Sequence, residues 1–280
     1  MAERIAFLGP TGTYTEEAAL LYNPWAELHP FPSIPAVGSA VSSGITEEGV
    51  VPIENSLEGS VNFTLDLLIG QPGLSVANEV VVPIEHFLYA APGVRPADVK
   101  VIYSHPQALA QCKDYLERCF PEAQQMASLS TVAAVADMKN SSVPAASISP
   151  RRAGELNPEV EIIGRDIQDN VNNVTRFVVL AGQDHVPTGN DKTSVCFSFQ
   201  ETDSSGLLYR ALGEFAQRGI NLMKIESRPT KENLGEYIFL VDCSGHREDA
   251  EVAEVLESLS AQCRMLRVFG SYPIWTGAGG

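Results

Sequence analysis

The sequence predicts an α/β protein with two domains, the first built on a mostly parallel sheet and the second of ferredoxin-like type. Three observations lead to this fold class. Residues 1–181 alternate short apolar strands with amphipathic helices, the pattern of a parallel sheet covered on both faces. Residues 182–192 are polar and contain Gly and Pro, which is typical of a linker. Residues 193–272 follow the order βαββαβ in about 80 residues, which indicates a ferredoxin-like domain.

The elements of the first domain follow from the spacing of apolar residues. An apolar strand at 4–8 precedes a helix at 13–22 with a polar start. Pro106 favours a helix start at that position, because its missing N–H costs nothing in the first turn. The other predicted elements are helices at 60–69, 106–120, 131–138 and 151–156 and strands at 49–53, 99–103, 145–148, 161–163 and 175–180.

The second domain begins with an alternating strand at 193–199. A helix at 206–217 places Leu208, Leu212 and Phe215 on one side, where they belong to the core. Strands at 220–227 and 236–242, a helix at 248–260 and a strand at 265–269 complete the pattern, and residues 273–280 are predicted to be a tail without regular structure.

Composition excludes several classes of function. The 280 residues carry a net charge of −16, whereas nucleic-acid binding requires a basic surface. The five cysteines are widely spaced without a CxxC pair, and the five histidines are scattered, so neither a disulfide framework nor a metal site is predicted. No apolar run reaches the roughly 18 residues of a membrane span, and the first residues do not resemble a secretory signal. A cytoplasmic protein without membrane association is expected.

Three loops of the first domain share one design, because each follows a strand and opens a helix. They cover residues 9–15, 54–59 and 104–107. Ligands of open α/β sheets bind beyond the carboxyl ends of strands, where helix N-termini favour anions. No Lys or Arg occurs between Arg4 and Arg95, so this half must hold an anion with N–H groups, hydroxyls and amides. Near the end of the domain, Thr175 adds a hydroxyl and Arg176 a guanidinium that can grip a carboxylate bidentately.

Each of these features also has a purely structural interpretation. The Gly9–Thr13 segment is compatible with a tight turn that ends in a Thr cap, and the Glu54–Ser56 segment with a helix cap. His105 alone is compatible with a structural histidine. Thr175 and Arg176 are compatible with a cross-strand hydroxyl and a surface ion pair. Only the joint occurrence of the motifs favours a function.

Together the motifs resemble those of the prephenate dehydratase family over nearly the whole chain. Gly9-Pro-Thr-Gly-Thr-Tyr-Thr15 resembles the opening motif of that family, with Tyr14 and Thr15 in place of Phe and Ser. Pro52-Ile-Glu-Asn-Ser56 with Gly59, Ser104-His-Pro-Gln-Ala-Leu109 with Gln111-Cys112, and Asn173-Val-Thr-Arg-Phe177 are similar to the next three motifs. The C-terminal part resembles an ACT regulatory domain: Gly206-Leu-Leu-Tyr209 stands where Gly-Ala-Leu-Val is usual, and Glu226-Ser-Arg-Pro229 matches fully.

The resemblance implies a catalytic domain at 1–181 of the two-lobed periplasmic-binding-protein type (type II). One lobe would comprise residues 1–80 and 164–181 and the other residues 81–163, followed by the 182–192 linker and the ACT domain at 193–272. The active site would lie in the cleft between the lobes. The implied reaction is loss of CO2 and water from prephenate, which gives phenylpyruvate for phenylalanine biosynthesis. Aromatisation drives it, so no metal or cofactor is expected.

The resemblance also implies roles for individual residues. Thr175 is placed at the departing hydroxyl and Arg176 at a substrate carboxylate. The other residues expected at the substrate are Thr11, Thr13, Asn55, Ser56, Ser104, Gln107, Asn173 and Phe177, with Glu54 and His105 as proton sources or orienting groups. Phenylalanine is the implied inhibitor, held by Gly206, Leu207, Leu208, Asn221, Glu226, Ser227, Arg228 and Pro229. A homodimer or homotetramer is expected, because ACT domains commonly pair.

Two other functions stay open from the sequence. Arogenate dehydratase would share the motifs and act on a substrate with an amino group. A non-catalytic amino-acid sensor on the same two-lobed fold would bind ligand without releasing phenylpyruvate, although the intact 175–177 motif disfavours it. A fused chorismate mutase activity is not expected, because the sequence shows no extra all-helical N-terminal segment.

Overall fold

A computed structural model describes residues 3–200, 204–231, 233 and 235–277. Strands and helices alternate along the chain, as the apolar spacing predicts. The strands are β1 (Arg4–Leu8), β2 (Glu27–Phe31), β3 (Glu48–Asn55), β4 (Gly59–Ser60), β5 (Ser75–Pro83), β6 (Phe87–Ala90), β7 (Val101–Ser104), β8 (Gln124–Ala127), β9 (Ala145–Ser149), β10 (Glu161–Gly164), β11 (Val174–Ala181), β12 (Asp191–Phe199), β13 (Leu222–Pro229), β14 (Tyr237–Ser244) and β15 (Cys263–Pro273). The helices are α1 (Tyr14–Tyr22), α2 (Ile34–Ser42), α3 (Asn62–Gly70), α4 (Pro106–Gln111), α5 (Lys113–Cys119), α6 (Ala133–Lys139), α7 (Arg151–Glu155), α8 (Leu207–Gln217) and α9 (Ala250–Gln262).

The chain divides into two compact units. The first unit contains Met1–Val37, Val50–Val61 and Val81–Phe177, and the second contains Gly38–Gly49, Asn62–Val80 and Val178–Gly280. These bounds differ from the predicted division at residues 181 and 193, which stays a prediction.

The first sheet has the strand order β2-β1-β3-β11-β5, and β4 pairs with β3. Strand β1 pairs with β2 in parallel. The apolar run of β1 is buried at Ile5, Ala6 and Phe7, as a strand covered on both faces requires. The β3–β4 pair is a short antiparallel hairpin that joins Glu54 to Ser60 and Asn55 to Gly59.

The second sheet has the order β10-β6-β9-β7-β8 and is mixed rather than mostly parallel. Strand β7 pairs in parallel with β8 and β9, whereas β6 pairs antiparallel with β9 and β10. The prediction of a mostly parallel arrangement is therefore corrected for this sheet, because β6 pairs antiparallel on both sides. The apolar segment after residue 80 supplies both the end of β5 and strand β6. The core of this second sheet includes Leu88, Ile102 and Ile148.

The predicted helix at 106–120 is also corrected, because the structure contains two helices. Helix α4 ends at Gln111, Cys112 has a non-helical conformation with φ −117° and ψ 17°, and α5 begins at Lys113. Cys112 is fully buried in the core of the second sheet. The break interrupts the helix while the apolar spacing continues, and for that reason the spacing alone predicts one helix.

The third sheet, in the second unit, has the order β13-β14-β12-β15 with α8 and α9 packed against it. All of its ladders are antiparallel. This is the predicted βαββαβ arrangement. Its core includes Phe197, Phe215, Val241 and Leu259. Helix α8 begins after Gly206, whose φ of 80° favours glycine.

The ends of the predicted linker and tail differ slightly from the prediction. Strand β12 begins at Asp191 and β15 extends to Pro273. Beyond it, the Ile274 N–H donates to the carbonyl of Asn190 at 3.0 Å. Residues 278–280 of the predicted tail lie outside the described residues. In the described part of the chain, no helix is both long enough and apolar enough to span a bilayer.

Candidate active site

A cavity of about 360 Å³ lies within the first unit, and both sheets contribute to its wall. From the side of the first sheet come the start of α1, strand β3 with Asn55, and strand β11 with Thr175. From the side of the second sheet come the segment before β6, helix α4 and the loop before α6. The lining residues are Thr13, Tyr14, Thr15, Pro52, Asn55, Val61, Ile84, His86, His105, Gln107, Ala108, Gln111, Leu129, Ser130, Thr131, Thr175 and Phe177.

The start of α1 is shaped by a tight turn at Gly12. Gly12 has φ 94°, which favours glycine, and its N–H donates to the Glu16 carboxylate at 2.6 Å. In return, the Thr13 hydroxyl accepts from the Glu16 N–H at 3.5 Å. This reciprocal capping places the N-terminal residues of α1 in the cavity wall, where the helix dipole favours negative charge.

Thr175 is held by the side-chain amide of Asn55. The Asn55 Nδ2 donates to Thr175 Oγ1 at 2.9 Å and to Asn173 Oδ1 at 2.8 Å. The Asn55 Oδ1 accepts from the backbone N–H groups of Leu57 and Glu58 at 3.0 and 3.1 Å. Because backbone N–H groups only donate, this amide has one possible orientation. The Thr175 oxygen is therefore an acceptor toward Asn55, and within the described residues no group accepts the threonine's own proton.

The amide network continues through Gln111 to a buried histidine. Asn173 Nδ2 donates to Gln111 Oε1 at 3.3 Å, and His86 Nε2 lies 2.9 Å from the same oxygen. His86 is 2 % exposed. Burial lowers the pKa of His86, although the hydrogen bond to Gln111 raises it in part. His86 is therefore neutral near pH 7.

Tyr14 contacts the other side of His86. Its hydroxyl donates to the Glu85 carbonyl at 2.5 Å and lies 3.2 Å from His86 Nδ1. Burial raises the pKa of Tyr14 well above its usual value, and the nearby carboxylates of Glu17 and Glu85 raise it further. The phenol is therefore protonated throughout the physiological range.

Arg176 lies outside the cavity wall, although its neighbours Thr175 and Phe177 line it. Successive side chains of a strand point to opposite faces, which explains the alternation. Its guanidinium pairs with Glu54 of β3 at 3.0 Å. The expected contact of Arg176 with a substrate carboxylate is therefore not preformed, and Glu54 is its partner here.

Of the residues predicted at the substrate, six line the cavity: Thr13, Asn55, His105, Gln107, Thr175 and Phe177. The other six residues do not line it: Thr11, Glu54, Ser56, Ser104, Asn173 and Arg176. Thr11 is exposed. Ser104 is fully buried and donates to the Ile148 carbonyl at 2.7 Å. The Ser56 hydroxyl accepts from the Val174 N–H at 3.0 Å, and the Asn173 side chain accepts from Asn55 Nδ2 at 2.8 Å.

Sequence reasoning missed several residues of the cavity wall. Tyr14 and Gln111 stood inside quoted motifs without an assigned role. His86 and residues 129–131 received no role in the sequence analysis, although Thr131 stands at the start of the predicted helix at 131–138. No local pattern distinguishes these residues, because long-range packing brings them to the cavity.

No Lys or Arg is among the described residues that line the cavity. An anion there must be held by hydroxyls, amides and the start of α1, as the charge distribution along the sequence predicts. In the described part of the chain, no three His, Cys, Asp or Glu side chains are grouped in a way that could hold a metal ion.

A separate cavity of about 240 Å³ lies in the second unit. Predicted effector residues Gly206, Leu207 and Leu208 line it. The remaining lining residues are Ser198, Phe199, Ser204, Thr230, Gly235, Glu236, Tyr237, Phe239 and Arg264.

The other predicted effector residues lie outside this cavity. Glu226 pairs with Lys224 at 3.3 Å, and the Asn221 N–H donates to Ser244 at 3.1 Å. The buried Arg228 pairs with Asp66 of α3. Ser227 and Pro229 lie on the same strand, β13.

Comparisons with known proteins match both parts of the chain. The prephenate dehydratase family model matches residues 5–185, and the ACT domain model matches residues 200–261. A bifunctional chorismate mutase/prephenate dehydratase of Aquifex aeolicus is 39% identical over 279 residues, which are 96% of this chain and 73% of that protein. A prephenate dehydratase of Mycobacterium marinum is 38% identical, over 96% of this chain and 88% of its own.

A solved structure extends these matches to three dimensions. The crystal structure of prephenate dehydratase from Arthrobacter aurescens in complex with L-Phe has a TM-score of 0.89 and 36% identity. The match covers 97% of this chain and 90% of that one. These findings confirm the α/β fold class with a C-terminal ACT domain and the family resemblance drawn from the motifs.

Proposed function

Because this chain belongs to the prephenate dehydratase family and carries an ACT domain, we propose that it converts prephenate to phenylpyruvate in the cavity around Thr175. The observation that carries the proposal is the bond from Asn55 to the Thr175 oxygen. It leaves the threonine proton directed away from Asn55 and available to a ligand in the cavity.

The reaction needs one proton and no redox change. The bond between the ring and its carboxylate breaks, and its electron pair enters the ring as CO2 departs. The ring becomes aromatic as the bond to the hydroxyl breaks on the other side. The departing hydroxide takes a proton and leaves as water, so the prephenate dianion gives the phenylpyruvate monoanion. The protein must therefore orient the dianion and supply hydrogen bonds to the hydroxyl.

Thr175 is assigned to the departing hydroxyl. A threonine hydroxyl is too weak an acid to ionise, but it can donate a hydrogen bond that strengthens as negative charge develops on the oxygen. The amide of Asn55 donates to the same Oγ1, which makes the threonine proton a better donor. Such positioned assistance contributes roughly 10²- to 10⁴-fold to a rate.

The dianion is assigned to the uncharged groups of the cavity and to the start of α1. Thr13, His105 and Gln107 line the cavity together with Ser130 and Thr131. The cavity wall also includes the apolar side chains of Ile84, Leu129 and Phe177, which suit a six-membered ring. We assign Arg176 to positioning, because its ion pair with Glu54 joins β11 to β3 beside Thr175.

Phenylalanine is proposed as the inhibitor that binds at the ACT domain. The L-Phe complex of the Arthrobacter relative supports this choice. In this chain, the cavity at Gly206–Leu208 offers aromatic walls from Phe199 and Phe239 and charges from Glu236 and Arg264. These groups suit an aromatic side chain, an ammonium and a carboxylate.

A dimer or tetramer is proposed, and light scattering of the purified chain tests it.

The function is tested by incubating the purified chain with prephenate and following phenylpyruvate, with arogenate in a parallel reaction. Faster turnover of prephenate supports the proposal. Preference for arogenate identifies an arogenate dehydratase instead. Binding of either compound without product indicates a sensor, and phenylalanine added to each reaction tests the proposed inhibition.

A further inference from the structure

His86 lies in the cavity wall with a hydrogen-bond acceptor opposite each of its ring nitrogens. Its Nε2 lies 2.9 Å from Gln111 Oε1, and its Nδ1 lies 3.2 Å from the Tyr14 hydroxyl oxygen. The single Tyr14 proton is donated to the Glu85 carbonyl at 2.5 Å. Toward His86 Nδ1, the phenol oxygen is therefore an acceptor. All of these residues belong to the first unit.

The amide of Gln111 is fixed with its oxygen toward His86. Its Nε2 donates to the Glu58 carboxylate at 3.1 Å, and its Oε1 also accepts from Asn173 Nδ2 at 3.3 Å. The Asn173 amide is fixed in turn, because its oxygen accepts from Asn55 Nδ2 at 2.8 Å. An amide oxygen has no proton to give, so Gln111 is an acceptor toward His86 Nε2.

Two acceptors suit a doubly protonated ring. A neutral imidazole has one N–H and one bare nitrogen, so at this position it can make only one of the two bonds, whereas the imidazolium makes both. The buried His246 of the second unit shows the contrast. Its Nδ1 accepts from the Glu248 N–H at 3.1 Å, and its Nε2 donates to the His185 carbonyl at 2.9 Å. One donor and one acceptor suit a neutral ring.

Burial opposes the charged form of His86 while the cavity holds no anion. It lowers the pKa of His86, and the hydrogen bond to Gln111 raises that pKa only in part. An anion in the cavity changes this balance, because an opposite charge within about 4–6 Å favours the charged form of a buried group. Among the described residues that line the cavity, only His86 and His105 can carry a positive charge.

His105 is less suited to a second proton than His86. Its Nδ1 accepts from the Gln107 N–H at 3.3 Å, and protonation of that nitrogen would break the bond. At His86, protonation of Nδ1 instead adds a bond, to the Tyr14 oxygen. The two cavity histidines therefore respond differently to a bound anion.

We propose that His86 is the cation of this cavity: it takes up one proton from solvent when the prephenate dianion binds, and its two N–H groups then donate to Gln111 and Tyr14. This inference rests on the proposed function of the Thr175 cavity. No other bond forms or breaks in this step, so the dianion and the proton enter together and add one net negative charge to the site. Hydroxyls and amides contact the dianion, and His86 acts on it through its charge. A buried charge is tolerated where it is both paired and hydrogen-bonded.

The second acceptor is a feature of this chain, because Tyr14 stands where the family motif has Phe. Other titratable groups surround the contact between Tyr14 and His86. Glu58 lies on the far side of Gln111. Four more act electrostatically on Tyr14, from α1, the segment before β6, the residue after α4 and β6 itself: Glu17, Glu85, Cys112 and Tyr89. All of them are present with and without ligand, so proton uptake on binding is a response to the dianion.

The test records long-range ¹H–¹⁵N NMR spectra of the full chain labelled with ¹⁵N-histidine at pH 7.5. Thr175→Ala in excess prephenate at low temperature keeps turnover slow. We expect His86 to have one protonated nitrogen without prephenate and two with it. The His86 signals are identified by their loss when His86→Gln is added. His246 is the internal control, because its ring nitrogens face one donor and one acceptor and should keep one proton in both spectra.

The pH dependence of KM provides the second readout, in the chain with Thr175 intact. Because binding takes up a proton, KM for prephenate should rise between pH 6.5 and 8.5, by at most about tenfold per pH unit. His86→Gln should remove this rise and increase KM at pH 6.5 by about tenfold or more, since it removes an attraction between opposite charges in a partly buried site. The change in kcat should be smaller. His105→Gln should retain the rise.

The outcomes separate this inference from the proposed function. His86 with a single proton in the complex overturns the inference, as does a pH dependence of KM that His105→Gln removes and His86→Gln retains. Both results leave the proposed function standing. If His86 gains its proton but the wild type forms no phenylpyruvate, the proposed function fails while the assignment of His86 stands. Absence of prephenate binding overturns both.

Discussion

At position 175, the direction of one hydroxyl proton is determined by neighbouring amide groups. Asn55 can only donate to the threonine oxygen, because backbone N–H groups occupy its own oxygen. The threonine proton is therefore directed away from Asn55, and none of the described residues that line the cavity is Asp, Glu, Lys or Arg. Preorganised donors of this kind need no rearrangement during the reaction, which is where their catalytic advantage lies.

Substitution of Thr175 tests this assignment. Thr175→Ala is expected to lower kcat by about 10²- to 10⁴-fold, because it removes the donor to the departing hydroxyl. Thr175→Ser retains the hydroxyl and is expected to keep kcat within about tenfold of the wild type. Steady-state production of phenylpyruvate measures both. Similar, mild losses in the two variants would contradict a role for the hydroxyl.

His86 predicts a pH dependence of folding stability. Burial lowers the pKa of His86 in the folded chain below the usual value of 6.5. At a pH between the lowered folded pKa and 6.5, the unfolded chain therefore binds more protons than the folded chain. The contribution of neutral His86 is present above about pH 6.5 and is lost as the pH falls toward the folded value. Urea unfolding at pH 7.5 and 5.5 should show a larger loss of stability on acidification for the wild type than for His86→Gln. Equal losses would contradict a lowered pKa.

At the scale of the element, the short helix α7 shows how close packing determines which residues fit. A Cβ at Gly154 would lie 2.3 Å from the Tyr89 ring, whose hydroxyl hydrogen-bonds to residues 150 and 151. The Tyr89 ring cannot move away from residue 154 without breaking its hydrogen bonds to the Pro150 and Arg151 carbonyls. Position 154 therefore requires glycine, although nothing in the local sequence indicates it.

We expect Gly154→Ala to lower the stability by about 1–3 kcal/mol, since overpacking forces side chains from their rotamers. Gly213→Ala in α8 is the matched control, because the nearest atom to its Cβ would be 3.9 Å away. There, alanine should stabilise the helix by about 0.5–1 kcal/mol. Thermal unfolding measures both. A Gly154→Ala variant as stable as the wild type would contradict the tight packing at Tyr89.

The elements that spacing failed to predict share a physical cause. Strand β2 contains Pro30 and lies at the edge of its sheet, where a missing N–H is tolerated. Strands β5 and β6 arise from one apolar stretch that is divided by 84–86, and the division depends on pairing with different sheets. Strand β8 is exposed throughout and has no apolar alternation. Tertiary pairing, not local propensity, determines these elements.

At the scale of the whole molecule, one ion-pair cluster joins the segments matched by the two family models. Within the second unit, Asp66 of α3 pairs with Arg228 of β13 and with Lys231 at 2.8 Å. Burial raises the pKa of Asp66, but the hydrogen bonds and charges of Lys231 and Arg228 outweigh it and lower the pKa overall. Arg267 of β15 also donates to the carbonyls of Ile69 and Gln71, at the end of α3.

This cluster predicts how inhibition by phenylalanine responds to mutation. Asp66→Asn weakens the link between the predicted effector segment and α3, so we expect the half-inhibitory concentration to rise at least about fivefold, the lower range of measured couplings. Activity without phenylalanine should stay within about twofold. Asp98→Asn, which breaks an exposed pair with Arg95, is the control. Unchanged inhibition in Asp66→Asn would show that coupling bypasses this cluster.

The α/β class, the βαββαβ order of the second domain and the family could be predicted from the sequence, because they depend on local spacing and motifs. Three features required the folded chain: Arg176 pairs with Glu54, Ser104 is buried away from the cavity, and Tyr14, His86 and Gln111 line it. These facts depend on which strands pair and which face each side chain takes. A strand position that shifts by one residue reverses that face, and the chain order alone does not specify long-range partners.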